Sequence, residues 1–438
     1  MFLYYIRLAR MSLMKQPMLT LLMISAIGVG VGACMTITSF IYLMSGDPIP
    51  EKSDQVYAVR LDAWSPEGPY DESKPEEPPP QITHVDAMAL LESPVPTRHA
   101  AMRKAVYTAV PENEDVAPFL TVSRMTGGDF FEMFNVPFLY GNGWSDSADA
   151  NAENVVVLSK ETNDQLFGGE NSVGREAQFG AESFTVVGVI DEWQPSVLFY
   201  DVNNGPLNPV EDVFMPFTIT DRRQVAGSGN TNCWKDEQID TYFDLLGSEC
   251  VFVQFWAELE TDAQIAEYQA WLDTYTEGQK ELGRFERPTN NRVSTVTEWM
   301  DIEDVVYDEV WIVMSIGVLF LAACLFNTIG LILARFIAKA PVVGLRRALG
   351  ASKSQIFRQH LIEVGIVGVV GGVLGLALAW LGLVGLRQIL DDAERVVLFN
   401  FDLVALTALI AVVTAILAGL YPTWRVCQVS PATYLKTQ

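Results

Sequence analysis

Apolar residues fall into four long runs, Leu19–Met44, Val310–Ile337, Val364–Leu386 and Leu403–Tyr421, each long enough to cross a bilayer as a helix. The first run exceeds the apolar core of a secretory signal, and Cys34-Met35-Thr36 offers no small-residue cleavage site, so it reads as a retained anchor. Ahead of it, Phe2, Ile6, Ala9 and Leu13 share one helical face while Arg7 and Arg10 lie elsewhere, the pattern of a short helix in the headgroup region. The 261 residues 46–306, between the first two runs, behave differently, because their apolar positions come in short strand-length clusters. Strands are predicted within Asp54–Trp64, at Ala105–Val110, Phe119–Ser123, Val155–Leu158, Phe184–Ile190, Val213–Phe217 and Cys250–Phe255. Helices are predicted at His84–Leu91, from a Ser159 cap to about Phe167, and over Asp262–Gly278. Ser65–Gln81, with six prolines and several acids, reads as an exposed loop. Trp299, Ile302, Val306 and Val310 recur at helical spacing among acids, which predicts an amphipathic stalk continuous with the second span.

The resulting fold class is a membrane α-helical protein of four transmembrane helices with a large α+β domain inserted between helices 1 and 2; the charge pattern puts that domain outside the cytoplasm, and the family resemblance given below implies that it is a periplasmic domain. Its segments are a cytoplasmic amphipathic helix (1–18), helix 1 (19–44), a two-lobed periplasmic domain ending in the stalk (45–306), helix 2 (307–337), a cytoplasmic connection (338–363), helix 3 (364–386), a periplasmic loop (387–402), helix 4 (403–421) and a cytoplasmic tail (422–438).

Charge supplies the orientation. Arg7, Arg10 and Lys15, then Arg335, Lys339, Arg346, Arg347, Lys353 and Arg358, then Arg425 and Lys436 flank the spans on one side, and basic flanks stay in the cytoplasm. The connection between spans three and four sets Arg387 and Arg395 against Asp391, Asp392, Glu394 and Asp402, as a loop on the other side would. Residues 46–310 hold 49 of the 54 acids but 16 of the 29 basic residues, so the net charge of −25 belongs to the domain outside the membrane. That excess argues against nucleic acid as a partner; it serves solubility or attracts a cationic peptide or drug.

Candidate chemistry is sparse. No Gly-Lys dipeptide occurs in the 438 residues, so no Walker A phosphate loop is present and ATP hydrolysis by this chain alone is not expected. His84, His99 and His360 form no His-Glu-x-x-His array, there is no Gly-x-Ser-x-Gly elbow, and each histidine reads as surface or structural. Gly28, Gly30 and Gly32 imitate a dinucleotide fingerprint but lie inside a span. Gly28/Gly32, Gly368/Gly372 and Gly371/Gly375 are four apart and clear one helix face for close packing, against this chain or a second subunit. Asn327 reads as an interhelical hydrogen bond, and Glu363 as interfacial and hydrated. Cys34, Cys324 and Cys427 fall in or beside spans. Cys233 and Cys250 are candidates for a disulfide closing a loop of about 17 residues, worth roughly 3 kcal/mol. Metal binding by that pair is the weaker reading, because no histidine lies nearby.

The stretch Gly344-Leu345-Arg346-Arg347-Ala348-Leu349-Gly350-Ala351-Ser352 offers a short basic helix, a glycine stop and a new helix capped by Ser352 that runs into span three. A basic loop that merely obeys the positive-inside rule is the simpler alternative. With Gly371-Gly372 and Gly375, with Gly419-Leu420-Tyr421-Pro422-Thr423-Trp424-Arg425 followed by Ser430-Pro431-Ala432, and with the four-span layout, the chain resembles the MacB/FtsX-type permeases, membrane subunits of type VII ABC transporters. Gly128-Asp129-Phe130-Phe131, Pro137 to Gly141, Val173-Gly174-Arg175 and Val186-Val187-Gly188-Val189 resemble the family's periplasmic core. The resemblance implies that residues 344–352 couple to a separate ABC ATPase subunit, which binds ATP and Mg, while this chain binds no cofactor. It implies a second permease (self or a related chain), a periplasmic adaptor and outer-membrane channel, and efflux of peptides or drugs from the bacterial inner membrane. Lipoprotein extraction and control of a cell-wall hydrolase are the alternatives within the architecture. Pro341-Val342-Val343 in place of the family's Glu-Ile-Gly, and Pro431-Ala432-Thr433-Tyr434-Leu435 in place of Pro-x-x-Ala-Leu, depart from the pattern and suit a specialised member, paired either with a related permease as a heterodimer or symmetrically with itself.

Overall fold

The structure, a computed structural model, describes residues 2–113, 115–306, 308–389 and 401–428. The charged connection containing Asp391, Asp392, Glu394 and Arg395, and the tail with Ser430-Pro431-Ala432 and Lys436, lie outside the described residues. Two compact units form: Gly46–Val305, and the membrane unit made by the chain on either side of it.

Among the described residues of the first unit, one mixed sheet holds twelve strands: β1 Val56–Arg60, β2 Ile82–Thr83, β3 Arg98–Val110, β4 Phe119–Thr126, β5 Phe138–Gly141, β6 Val155–Leu158, β7 Glu176–Phe179, β8 Glu182–Ile190, β9 Val213–Pro216, β10 Gly227–Ser228, β11 Val251–Glu258 and β12 Arg292–Thr295. Its main path runs β12-β1-β11-β3-β4-β9-β6-β8-β5. The long β3 creates two lobes: its first half pairs antiparallel with β11 (Ala101 opposite Phe255) and its second half with β4 (Val106 opposite Val122). The pairs β4/β9 and β6/β8 are parallel, the rest antiparallel.

Local chemistry explains the elements. Val155–Leu158 is a largely β-branched run buried from Val156 onward, and Ser159 then accepts from the Thr162 N–H to start the helix Lys160–Phe167, which Gly168 ends at φ +67°. Phe130, Phe134, Tyr200, Phe214 and Trp256 meet mostly edge to face and fill the centre of the domain. Cys233 and Cys250 are joined as a disulfide. The loop 65–81 is irregular but fastened: Arg287 donates to the Ser65 and Gly68 carbonyls, and Glu77 pairs with the buried Arg60 at 2.8 Å.

The continuous stalk does not form. The helix Val296–Ile302 opens with a Thr295/Glu298 capping box, buries Val296, Trp299 and Met300 in the domain, and ends before Asp304, whose φ is +49°. The Val305 N–H turns back to the Met300 carbonyl, and a new helix begins at Asp308. The helical period persisted through this region because Trp299 faces the domain core, where its Nε1 donates to the Phe199 carbonyl. An aspartate tolerates the left-handed turn that separates the two helices.

In the membrane unit four helices are long and apolar enough to span: Pro17–Tyr42, Val310–Ala338, Lys353–Leu386 and Ala408–Arg425. Their centre holds Ile27, Val31, Ile332, Val367, Ala411, Ala415 and Ala418. The N-terminal helix Phe2–Met14 turns Ala9 and Leu13 inward.

Candidate coupling site

The connection between spans two and three is rigidly defined by its backbone. The helix Ala340–Ala348 carries Pro341 in its first turn, where the missing N–H costs no bond. At its other end the Gly350 N–H bonds to the Arg347 carbonyl and the Ala351 N–H to the Arg346 carbonyl, a Schellman closure with Gly350 at φ +100°. Two residues later Ser352 starts the next helix: its Oγ accepts from the Gln355 N–H (3.2 Å), and Gln355 Oε1 accepts from the Ser352 N–H (3.1 Å). Lys353–Ile389 then runs unbroken through span three.

This turn sorts the side chains of residues 344–352. Val343 and Gly344 are buried against the unit, and Arg347 and Ala351 are half-buried. Leu345, Arg346, Ala348, Gly350 and Ser352 are exposed, and Leu349 is 80% exposed. Arg346 reaches back to Gln359 Oε1 at 2.9 Å. The outcome is a basic, apolar-tipped knob whose backbone has no slack, suited to docking into a complementary notch.

Behind the knob lies a buried ion cluster that sequence reasoning missed. Glu363 is 2% exposed, not hydrated, because Arg335 from span two (2.9 Å), Lys339 (2.9 Å) and Ser12 Oγ of the N-terminal helix (2.8 Å) all converge on its Oε1. Arg335 also donates to Thr20 Oγ1 of span one and to the Ser12 carbonyl, and Lys339 to Ser12 Oγ. His360 packs on Phe336 with ring centres 4.3 Å apart, its Nδ1 3.5 Å from Glu363 Oε2. One carboxylate thus ties the N-terminal helix and spans one, two and three together. The signal was in the sequence as Arg335/Lys339 and His360/Glu363, pairs spaced to share a helix face, but only the packing shows that the two faces meet.

The glycines lie in the seams between spans. A Cβ on Gly28 would stand 2.8 Å from Leu374, one on Gly32 2.9 Å from Leu378, and one on Gly371 2.9 Å from Ile27, while Gly375 faces the Gly28 carbonyl. Gly368 and Gly372 face Ala415 and Ala411 of span four. Span three is therefore gripped from both sides within the chain, and the side-chain-free faces permit that approach. Asn327 is exposed, and its side chain makes no interhelical hydrogen bond with any described residue.

In the other unit, burial pushes the Asp149 carboxyl up to about 6 against hydrogen bonds from the Gly128 N–H (2.7 Å) and Trp144 Nε1 (2.8 Å). Beside it an open cleft of about 840 Å³ is lined by Lys52, Arg98, Asp129, Glu132 and Trp144. Burial likewise pushes Glu303, at the end of the domain's last helix, up to about 7 despite Arg60 and Lys74 nearby. His84 is buried and bonds to Asp221 at 3.1 Å, and His99 is half-buried, with its pKa lowered by burial; both are structural. No group of three or more metal-ligating side chains occurs among the described residues.

Residues 20–275 match the MacB-like periplasmic core domain, and residues 314–431 match the FtsX-like permease C-terminal region. The chain belongs to the MacB/FtsX-type ABC permease family. Among its MacB-type relatives, the macrolide export ATP-binding/permease protein MacB of Acinetobacter baylyi is 22% identical over 359 residues, covering 81% of this chain and 47% of the relative. The pyoverdine export ATP-binding/permease protein PvdT of Pseudomonas aeruginosa is 23% identical over 310 residues, covering 71% and 41%. The chain spans about half the length of the curated relatives it matches. The crystal structure of the periplasmic region of MacB from Actinobacillus actinomycetemcomitans aligns with 59% of this chain and 98% of that one, at 14% identity and a TM-score of 0.37. The four spans with a periplasmic-type α/β domain between the first two are the layout of this MacB/FtsX-type membrane protein.

Proposed function

We propose that this chain is the permease subunit of a mechanotransmission ABC transporter in a bacterial inner membrane, with both termini in the cytoplasm. ATP and Mg are bound by a separate ATPase, and two permease chains, identical or related, sit on two ATPase copies. The observation that carries this reading is the knob of residues 344–352: Leu345, Arg346 and Leu349 project from a turn closed by a Schellman motif and a capping box. Arg346 and Arg347 would pair with acids of the ATPase while Leu345 fills an apolar notch. Closure of the ATPases would push on the knob, and the Glu363 cluster behind it would pass that displacement to spans one and two as a unit. The domain between those spans would then move, displacing a substrate to an adaptor and outer-membrane channel.

The relatives named for macrolide and pyoverdine export, together with the acidic surface of residues 46–310, favour efflux of peptides or drugs. The test is charge reversal: Arg346→Glu with Arg347→Glu should abolish stimulation of the partner ATPase by substrate while membrane insertion stays normal. Unchanged coupling in that variant would defeat the assignment. Purification from the native membrane should bring down an ATPase and an adaptor. A lipoprotein or a cell-wall hydrolase in their place would replace efflux with extraction or hydrolase control.

A further inference from the structure

A cavity of about 300 Å³ opens between the N-terminal helix, the helix Ala340–Ala348 and the first turns of the span-three helix. All three elements adjoin the same ends of spans one, two and three, so the cavity lies at the membrane surface. Its lining is divided in chemistry. Lys15, Lys339 and Arg346 supply three cations from two different segments, and no carboxylate of the described residues lines it. Leu8, Met11 and Val342 make an apolar wall, and Ile356 and His360, both almost fully buried, make the floor.

The cations differ in how far they are engaged. Lys339 is held by Glu363 and Ser12. Arg346 bonds only to the neutral Gln359 among the described residues. Lys15 is exposed and makes no ion pair with any described residue. Two positive charges therefore face a half-apolar cavity at the bilayer edge with no counterion among the described residues. Lysine and arginine stems run along apolar surface while their heads seek an anion, and at a membrane surface that anion is a lipid phosphate.

We infer that this cavity binds one anionic phospholipid, its phosphate on Lys15 and Arg346 and the start of an acyl chain along Leu8, Met11 and Val342. A soluble anion would satisfy the charges but leave the apolar wall in water; a zwitterionic lipid would cover the wall but bring its own cation next to Lys15 and Arg346. The bound lipid would fasten the N-terminal helix to the coupling helix. It would also share Arg346 with whatever docks on the knob, so lipid occupancy and docking would compete. Lipid binding itself requires only the spans and this cavity; the competition with docking rests in addition on the proposed coupling role.

The test uses the full chain in a non-ionic detergent, titrated with phosphatidylglycerol or phosphatidylcholine of the same acyl chains, with bound lipids counted by native mass spectrometry. One phosphatidylglycerol per chain should be retained in preference to phosphatidylcholine, and excess inorganic phosphate should not displace it. Near a membrane surface each cation changes affinity about fivefold, so Lys15→Gln with Arg346→Gln should weaken phosphatidylglycerol about 25-fold. Val342→Trp keeps every charge but fills the space, at a position already 55% exposed, and should also remove the tight site. Equal retention of the two lipids, undiminished retention in either variant, or displacement by phosphate would overturn the inference.

Discussion

At the scale of single residues, the decisive finding is Glu363, a carboxylate on which Arg335, Lys339 and Ser12 converge. Removing it leaves two cations facing one another in a largely buried site. Breaking a buried pair from one side costs about 3–5 kcal/mol. Glu363→Gln should therefore lower the Tm of the detergent-solubilised chain by several degrees, with Glu363→Asp restoring part of it. A Tm within a degree of the parent would show the cluster to be hydrated after all. Asp149 and Glu303 give the opposite kind of carboxyl, raised to about 6 and about 7 by burial. An acid whose folded pKa is raised binds its proton more tightly in the folded than in the unfolded state, so stability falls as pH climbs from about 4 to about 7. Denaturant unfolding of the domain signal should accordingly show a loss over that window, and Asp149→Asn should flatten its lower part; a stability that rises from pH 4 to 7 in both proteins would contradict the assignment. The sequence carried the paired spacings behind the cluster but not their meeting, and neither of these two shifts was legible in it. Glu363 lies beside basic, interfacial residues in the sequence, where hydration is the default, and the burial of Asp149 depends on Gly128 and Trp144 reaching it through the fold.

At the scale of elements, turn chemistry was readable and element continuity was not. Gly350 as a stop and Ser352 as a cap follow from residue type, since only glycine holds φ near +100° without strain and serine accepts from its own third neighbour. Gly350→Ala should cost about 1–3 kcal/mol locally. Its readout is faster proteolysis or amide exchange at residues 345–352, with the spans unaffected, and protection equal to the parent would mean that the turn does not set the knob. The seams between spans give a second prediction: Gly372→Leu forces span four away from span three, because even a Cβ would stand 2.8 Å from Ala411. That substitution should lower Tm and yield, whereas Gly330→Leu, where a Cβ meets nothing within 4 Å, should not. Equal behaviour of the two would deny the packing. The stalk failed for a reason of the same scale. Helical periodicity records which faces are apolar, not whether one backbone carries them; the Thr295 capping box and the left-handed Asp304 fix Val296–Ile302 as an element of the domain with its own ends.

At the scale of the whole molecule, the separation of charge governs the layout. With 49 of 54 acids in residues 46–310 and basic residues at the span ends, the chain is partitioned before it folds. The Cys233–Cys250 bond belongs to the acidic part, and Cys233→Ser with Cys250→Ser should reduce that domain's stability by about 2–4 kcal/mol without touching the membrane unit. A loss spread over both units in calorimetry would argue against their independence. The sequence by itself determined the four spans, the mixed α/β domain between the first two, most strand positions and the knob's helix-stop-helix form. Each of these follows from local quantities: run length, alternation, and the conformational preferences of Gly, Ser and Pro. Only the tertiary structure decided that β3 bridges two lobes, that span three is held by spans one and four of its own chain, and that four segments meet on Glu363. It also decided that Lys15 and Arg346 share one cavity. Those are relations between residues that range from a few tens to more than three hundred positions apart, and no local preference encodes which apolar face meets which; that is fixed when the faces pack.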